Sequence, residues 1–218
     1  MIDLHTHSLF SDGELIPSEL VRRLETLGYL AVAITDHADA SNLDFLIPRI
    51  IQVADDLNRS QPVKVIPGVE LTHIPPRSIA PFIAKARALG ARLILVHGES
   101  IIEPVMTGTN RAAIEGGADI LAHPGLISYE DAALAAEKGI LLEISARDGH
   151  SFTNGHVAGM ARKAGAGLVL NSDAHCPDNL MTREFASKIA EGAGMPPGSL
   201  SSLLSNSGQL LKKIGYPI

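Results

Sequence analysis

The sequence predicts an α/β fold in the form of a closed or nearly closed barrel of seven βα units. Short apolar runs bounded by polar residues recur along the chain, and the longer ones are rich in Val, Ile and Leu, as in strands buried on both faces of a parallel sheet. The runs also end on titratable residues, namely His7, His37, Glu70, His97, His123, Glu143 and Asp173, at intervals of about 20 to 33 residues, close to one βα unit each. Such a barrel collects its chemistry at the C-terminal ends of its strands. A doubly wound open sheet has less support. No G-x-G-x-x-G turn follows the first run, and seven strand ends would hardly meet at one point in a flat sheet.

The elements follow in order. "MIDLH" reads as the first strand. "PSELVRRLETLG" opens with Pro17 and Ser18 near its first turn and closes at Gly28, the start and stop asymmetry of a helix. "LAVAITDH" and "VKVIPGVEL" are the next strands, then the helical "SIAPFIAKARALG" and the strands "RLILVHGE" and "ADILAHPG". "SYEDAALAAEKG" is a helix before the strand "GILLEIS", and "NGHVAGMARKAG" is a helix before the last strand, "GLVLNSDAH". Each of these helical segments ends in Gly just ahead of the next strand. The C-terminal stretch reads as one more amphipathic helix, residues 199–214, packing on the barrel with a basic last turn, and it carries no predicted chemistry.

Composition narrows the function. The 218 residues form one expected domain, 1–218, because no linker-like stretch divides them and the apolar runs are spread from end to end. Aromatic residues make up only 4% and Trp is absent, so the core must be aliphatic and Ala-rich. A formal net charge of −6 argues against a broad basic surface for duplex nucleic acid. Cys176 is the single cysteine, which leaves no intramolecular disulfide and fits a reducing compartment. There is no signal-like leader and no apolar run near 18 residues. The expectation is a soluble cytoplasmic protein without a membrane partner; composition leaves its oligomeric state open.

"DLHTHS" places His5 and His7 two residues apart, on one face of an extended strand. "NSDAH" repeats that spacing with Asp173 and His175, and in a closed barrel the first and last strands are neighbours. Asp12 in "SDG", His37 in "ITDH", Glu70 in "PGVEL", His97 in "LVHGE" and His123 in "LAHPG" complete a set of six imidazoles and three carboxylates. A lone histidine at a strand end is more often structural, and Asp12 before Gly13 also reads as a turn residue. Burying all nine groups in one mouth without a cation would be very costly. Nine ligands exceed the needs of one ion, so two or three divalent ions are expected. His and carboxylate ligation without thiolate fits zinc, manganese or iron. Their surplus positive charge suits a phosphate group.

In this order "HTHSLFSDG", "ITDH", "PGVEL", "LVHGE", "LAHPG" and "NSDAH" strongly resemble the polymerase and histidinol phosphatase (PHP) family, from Met1 to about Cys176. The resemblance implies a distorted (β/α)7 TIM-like barrel with a trinuclear metal site at the C-terminal ends of its strands. Carried over residue by residue, it puts His5, His7, Glu70 and Asp173 on one ion. Glu70 bridges to a second held by His97 and His123, and Asp12, His37 and His175 hold a third. Asp12, His37 and Asp173 are the ligands expected nearest the chemistry. Asp36 is then expected to orient an imidazole, and Glu143 ranks below the nine as a supporting or alternative ligand.

The activity implied is hydrolysis of a small phosphomonoester such as histidinol phosphate, by hydroxide bridging two ions. Arg147 and Arg183 are the candidate phosphate clamps. His150 and His156 read first as ordinary loop and helix residues, with proton donation to the leaving group as the alternative. His73 sits before Pro75 and Pro76 and is left out of the site. Ser145 stands where many relatives carry Asn. The competing activity is a phosphodiesterase or exonuclease on nucleotides or short single strands. An amidohydrolase would leave "ITDH" and "GVE" unexplained, and a degenerate accessory module should have lost ligands.

Overall fold

The structure is a computed structural model that describes residues 1–218. Its frame is a parallel sheet in which β1 (Ile2–Asp3), β2 (Ala31–Ile34), β4 (Lys64–Leu71), β5 (Leu93–His97), β6 (Ile120–Ala122), β7 (Leu141–Ser145) and β8 (Leu168–Asn171) neighbour one another in chain order. A two-residue strand, β3 (His37–Ala38), adds to the upper half of β4, with His37 opposite Glu70. The expected strand over 30–37 is therefore broken at Thr35 and Asp36. Thr35 Oγ1 turns to the backbone of Thr6, and Asp36 turns to Ser8.

Helices pack outside this sheet: α1 (Pro17–Thr26), α2 (Leu43–Ser60), α3 (Pro76–Ala88), α4 (Thr109–Gly116), α5 (Tyr129–Lys138), α6 (Asn154–Ala164), α7 (Arg183–Gly192) and α8 (Leu200–Lys213). None is long and apolar enough to cross a membrane. Helix α2 has no counterpart in the sequence reading, and Pro48 lies inside it. Its buried positions Leu43, Leu46, Ile47, Ile50, Ala54 and Leu57 nevertheless keep helical spacing. Ser128 caps α5 by accepting from Asp131 N at 3.0 Å, and the helix stops at Gly139 with φ 67°.

Two apolar clusters fill the protein. The larger lies between sheet and helices and takes the outward residues of the strands, such as Val32, Ile34, Ile94 and Val96. The smaller fills the barrel from Ala31, Ala33, Ile66, Leu93, Leu95, Ile120, Ala122 and Val169, and Leu210 and Leu211 of α8 join it. Helix α8 thus plugs one end of the barrel. Alternation along the strands sets what fills the other. On β4 the sequence Ile66, Gly68, Glu70 shares one face, on β5 Leu93, Leu95, His97, and on the β8 line Val169, Asn171, Asp173. The interior grades from aliphatic to ionisable along the barrel axis. A Cβ on Gly68 would stand 2.8 Å from Thr35 Cγ2 and 3.0 Å from the Leu93 carbonyl oxygen, so the narrow barrel needs glycine there.

Closure between β1 and β8 is minimal. One bridge joins Thr6 to Ala174, with His7 N donating to Ala174 O at 2.9 Å and Asp173 N donating to His5 O at 3.0 Å. Below it, side chains do the joining. Leu4 N donates to Asn171 Oδ1 at 2.9 Å, and Ser172 N donates to Asp3 Oδ1 at 3.1 Å.

Candidate metal centre

The strand ends bring all nine predicted ligands to one mouth. His5, His7, Glu70, His97, His123 and Asp173 are buried, whereas Asp12 and His37 stand nearer solvent. Five sets of ligand atoms lie close enough to share an ion: His7, Asp12, His37 and His175; His5, His7 and Glu70; His5, His123 and Asp173; His97, His123 and His150; and His73, His97 and Glu103. The first contains the expected third-ion ligands with His7 added. Asp12 Oδ1 is 3.2 Å from His175 Nε2 and 3.5 Å from His37 Nε2. Gly13 permits this approach, since a Cβ there would lie 2.5 Å from the His7 carbonyl oxygen.

The donors fit divalent ions on their own chemistry. His5 Nε2, both ring nitrogens of His7, and both carboxylate oxygens of Glu70 are buried without a hydrogen-bond partner. Leaving such groups unpaired costs about 1–3 kcal/mol each, and a cation among them satisfies all at once. The backbone points the same way. His73, His123 and Asp173 are the only non-glycine residues with positive φ, at 52°, 25° and 53°, and strain of this kind gathers at functional sites.

Electrostatics divides the imidazoles. Burial opposes charge on His5, but Glu143, Asp173 and Glu70 together hold its pKa well above the usual value. Burial pushes His7 down to about 3 although the Asp173 carboxylate lies 3.2 Å from its Nε2, with His37 and His5 repelling a further charge. Burial likewise opposes charge on His37 and His97, which neighbouring carboxylates still hold above the ordinary imidazole value. Burial lowers His123. Against their own burial, Glu70 and Asp173 are held low, first by the charge on His5.

Among the supporting residues, Asp36 and Arg183 lie elsewhere than the sequence reading puts them. Glu143 makes three hydrogen bonds, accepting from His5 Nδ1 at 2.9 Å, Asn171 Nδ2 at 2.7 Å and His123 N at 3.0 Å. Asp36 does not orient an imidazole. It accepts from Ser8 N, Ser8 Oγ and Ser11 Oγ, each at 2.7 Å, and so shapes the loop after β1. Arg147 lies at the mouth, its Nη1 donating to Asp173 O at 3.3 Å. Arg183 does not. It is the exposed first residue of α7 and acts on the Met1 amine, at the starting end of the first strand.

His156 is also elsewhere, bonded through Nε2 to Ile127 O at 2.8 Å. Sequence reasoning missed Glu103 and ranked His150 and His73 low. Glu103 sits in an irregular loop with no period to mark it, yet its carboxylate meets His97, His150 and His73.

The mouth encloses about 310 Å3, lined by polar and ionisable residues alone, from Asp12 and His37 on one side to Glu103 and His150 on the other. A neighbouring hollow of similar size shares Asp12, Arg147 and His175 with it.

Comparison with known proteins agrees with this geometry. The PHP domain model matches residues 3–137. An uncharacterised protein of Methanocaldococcus jannaschii is 48% identical over 97% of this chain and 99% of its own length. Among solved structures, the histidinol phosphate phosphatase of Lactococcus lactis, crystallised with zinc, L-histidinol and phosphate, shares the fold with a TM-score of 0.60. It is 17% identical, over 99% of this chain and 94% of that one. Ochratoxinase of A. niger shares it at a TM-score of 0.62 and 15% identity, over 95% of this chain and 70% of its own. The barrel alone therefore does not separate these activities, whereas the family model does assign the lineage: the chain belongs to the PHP domain family.

Proposed function

We propose that the protein is a metal-dependent phosphoesterase that hydrolyses a small phosphomonoester of the histidinol phosphate type, using two or three divalent ions of zinc, manganese or iron. The observation that carries this reading is a set of buried, unpaired His and carboxylate atoms opening into a small cavity without an apolar lining residue. Such a cavity suits a compact charged group better than an apolar or extended one. When bound, the ions supply Lewis-acid charge for the phosphoryl oxygens and activate water for attack. The Lactococcus lactis protein, with zinc and phosphate, is similar in fold and supports the choice.

The chain's own residues then divide the work. His5, His7, Glu70 and Asp173 hold the deep donors, and Glu143 keeps His5 with Nε2 turned inward. Asp12, His37 and His175 hold the outer position, next to solvent, where a substrate enters. Arg147 lines both hollows, which supports assigning its guanidinium to a phosphate oxygen. The reading puts the enzyme in the cytoplasm with a small phosphorylated metabolite as its partner; neither duplex nucleic acid nor a membrane is assigned to it.

The test is phosphate release by manganese- or zinc-loaded protein from histidinol phosphate, other small monoesters, nucleoside bisphosphates and a short oligonucleotide, beside His7→Ala and Asp173→Ala. A hundredfold preference for histidinol phosphate, about 2.7 kcal/mol in transition-state binding, lost in both variants, is expected. Cleavage of nucleotides with flat activity on monoesters would replace the metabolite phosphatase by a nucleotide phosphodiesterase.

A further inference from the structure

The loop after β5 carries a carboxylate that the nine strand-end ligands do not include. Glu103 Oε2 is 2.9 Å from His97 Nε2 and 3.2 Å from His73 Nε2, and Glu103 Oε1 is 3.5 Å from His150 Nε2. Adjacent ligands on one tetrahedral zinc ion, with bonds near 2.1 Å, stand about 3.4 Å apart. The spacing around Glu103 brackets that value.

His150 approaches the same point from the loop after β7. Ser100 Oγ is 2.7 Å from its Nδ1, which fixes the ring and turns Nε2 into the mouth. The ring stacks on His123 with centroids 3.9 Å apart and planes 12° apart. The coordinating nitrogens of His97, His123 and His150 all lie within 4.8 Å of one another. His150 is 3% exposed, so this imidazole has been drawn into the site although neither β-strand nor α-helix carries it there.

Neither loop is free to place these groups elsewhere. Glu99 Oε1 accepts from Gly108 N and Asn110 N, both at 2.9 Å, and so ties the two ends of the Glu103 loop together. Asn110 Oδ1 in turn accepts from Glu99 N at 3.0 Å, and Asn110 Nδ2 donates to Pro124 O at 2.9 Å, next to His123. The two loops also touch, since a Cβ on Gly149 would lie 2.5 Å from Ile102 Cδ1.

We infer that Glu103 and His150 are further protein ligands of the ion held by His97 and His123. This inference rests on the metal reading above. It gives that ion donors from Glu70, His97, His123, His150 and Glu103, a protein-closed environment of the kind that retains metal rather than offering an open position. An ion held there would fasten the two loops, and entry of substrate is left to the Asp12 side.

The test is cobalt(II) titration of the metal-stripped full chain, followed by its visible ligand-field spectrum and by metal counted after challenge with a chelator. Wild type is compared with Glu103→Gln, His150→Gln, the double variant and His97→Ala. The expected result is that one equivalent leaves at tenfold or more lower chelator concentration in each single variant and a hundredfold lower in the double variant. The ligand-field spectrum changes with it, and His97→Ala loses the same equivalent. Equal retention and an unchanged spectrum in both single variants, with the equivalent still lost in His97→Ala, would overturn the inference and leave the metal reading standing. No cobalt uptake by wild type would bring down both. Glu103→Gln is near-isosteric and partly exposed, so its result stands even where His150→Gln misfolds.

Discussion

Glu143 joins two proposed ligands from different strand ends, accepting the Nδ1 proton of His5 through one oxygen and the backbone N–H of His123 through the other. The bond to His5 selects the tautomer whose Nε2 is free, and the bond to His123 supports a residue held at φ 25°. Glu143→Gln keeps the shape but weakens the acceptor. Supporting partners of this kind are worth about 10- to 100-fold in metal affinity. The variant is expected to lose metal by that factor in a chelator competition while its circular dichroism stays that of wild type.

The stability gained on metal binding should depend on pH in a definite direction. In the metal-free protein, burial opposes charge on His5, His37 and His97, but their carboxylate neighbours keep all three above the ordinary imidazole pKa. A pKa raised by folding stabilises the fold in full below the unfolded value, about 6.5, and that stabilisation is lost as pH rises through the folded value. Metal needs the same nitrogens without protons, so its binding strengthens over that window. His7 and His123, lowered by burial, complete their change below it. The difference in Tm between metal-loaded and metal-free protein is therefore expected to widen from about pH 6.5 upward. Groups away from the site cancel in that difference, which differential scanning calorimetry at a few pH values reads directly.

Two arginines offered by the sequence separate cleanly in the structure. Arg147 borders the mouth and Arg183 does not. A phosphate clamp that acts equally in ground and transition states shows itself in KM. Arg147→Ala is expected to raise KM for the phosphate ester by about tenfold or more, with kcat changed by only a few fold, in line with a lost charge-assisted bond. Arg183→Ala should leave both constants where they were. Steady-state kinetics on the pair decides it, and a KM effect at Arg183 instead would mean that α7 reaches the substrate.

Asp36 tests the architecture apart from the chemistry. It satisfies three donors of the loop after β1, and both Ser8 and Asp36 are fully buried. Asp36→Ala leaves those donors without an acceptor, at a cost of about 3 kcal/mol. Urea unfolding of the metal-free protein should show that loss as a lower midpoint at unchanged slope.

Why part of the site was legible and part was not follows from where each residue sits. His5 with His7 and Asp173 with His175 share a spacing of two, and an extended backbone turns that spacing into a common face. Glu70 and His97 end apolar runs whose strands are continuous in the structure. Glu103 has no such marker, for the loop between β5 and α4 obeys neither period, and its direction is set by Glu99 and Asn110 through bonds that no local pattern encodes. Asp36 departs from its expected role for a related reason. It neighbours His37 in the chain, but the break after β2 turns it toward Ser8 instead. Helix α2 keeps a buried face of helical spacing although Pro48 removes one N–H from its hydrogen bonding.

The narrow join between the first and last strands has a consequence for the chain as a polymer. Across it stand His5 and His7 on one side and Asp173 and His175 on the other, and the hydrogen bonds beside them link positions as much as 169 residues apart. An ion shared by these side chains would act as a reversible cross-link closing a loop of roughly three quarters of the chain. In the chain-entropy account, a tie over that length restricts the unfolded ensemble by on the order of 5 kcal/mol. The metal centre would then be the latch of the barrel as well as its reactive end, and stripping it should loosen the N-terminal segment from the sheet before any helix melts.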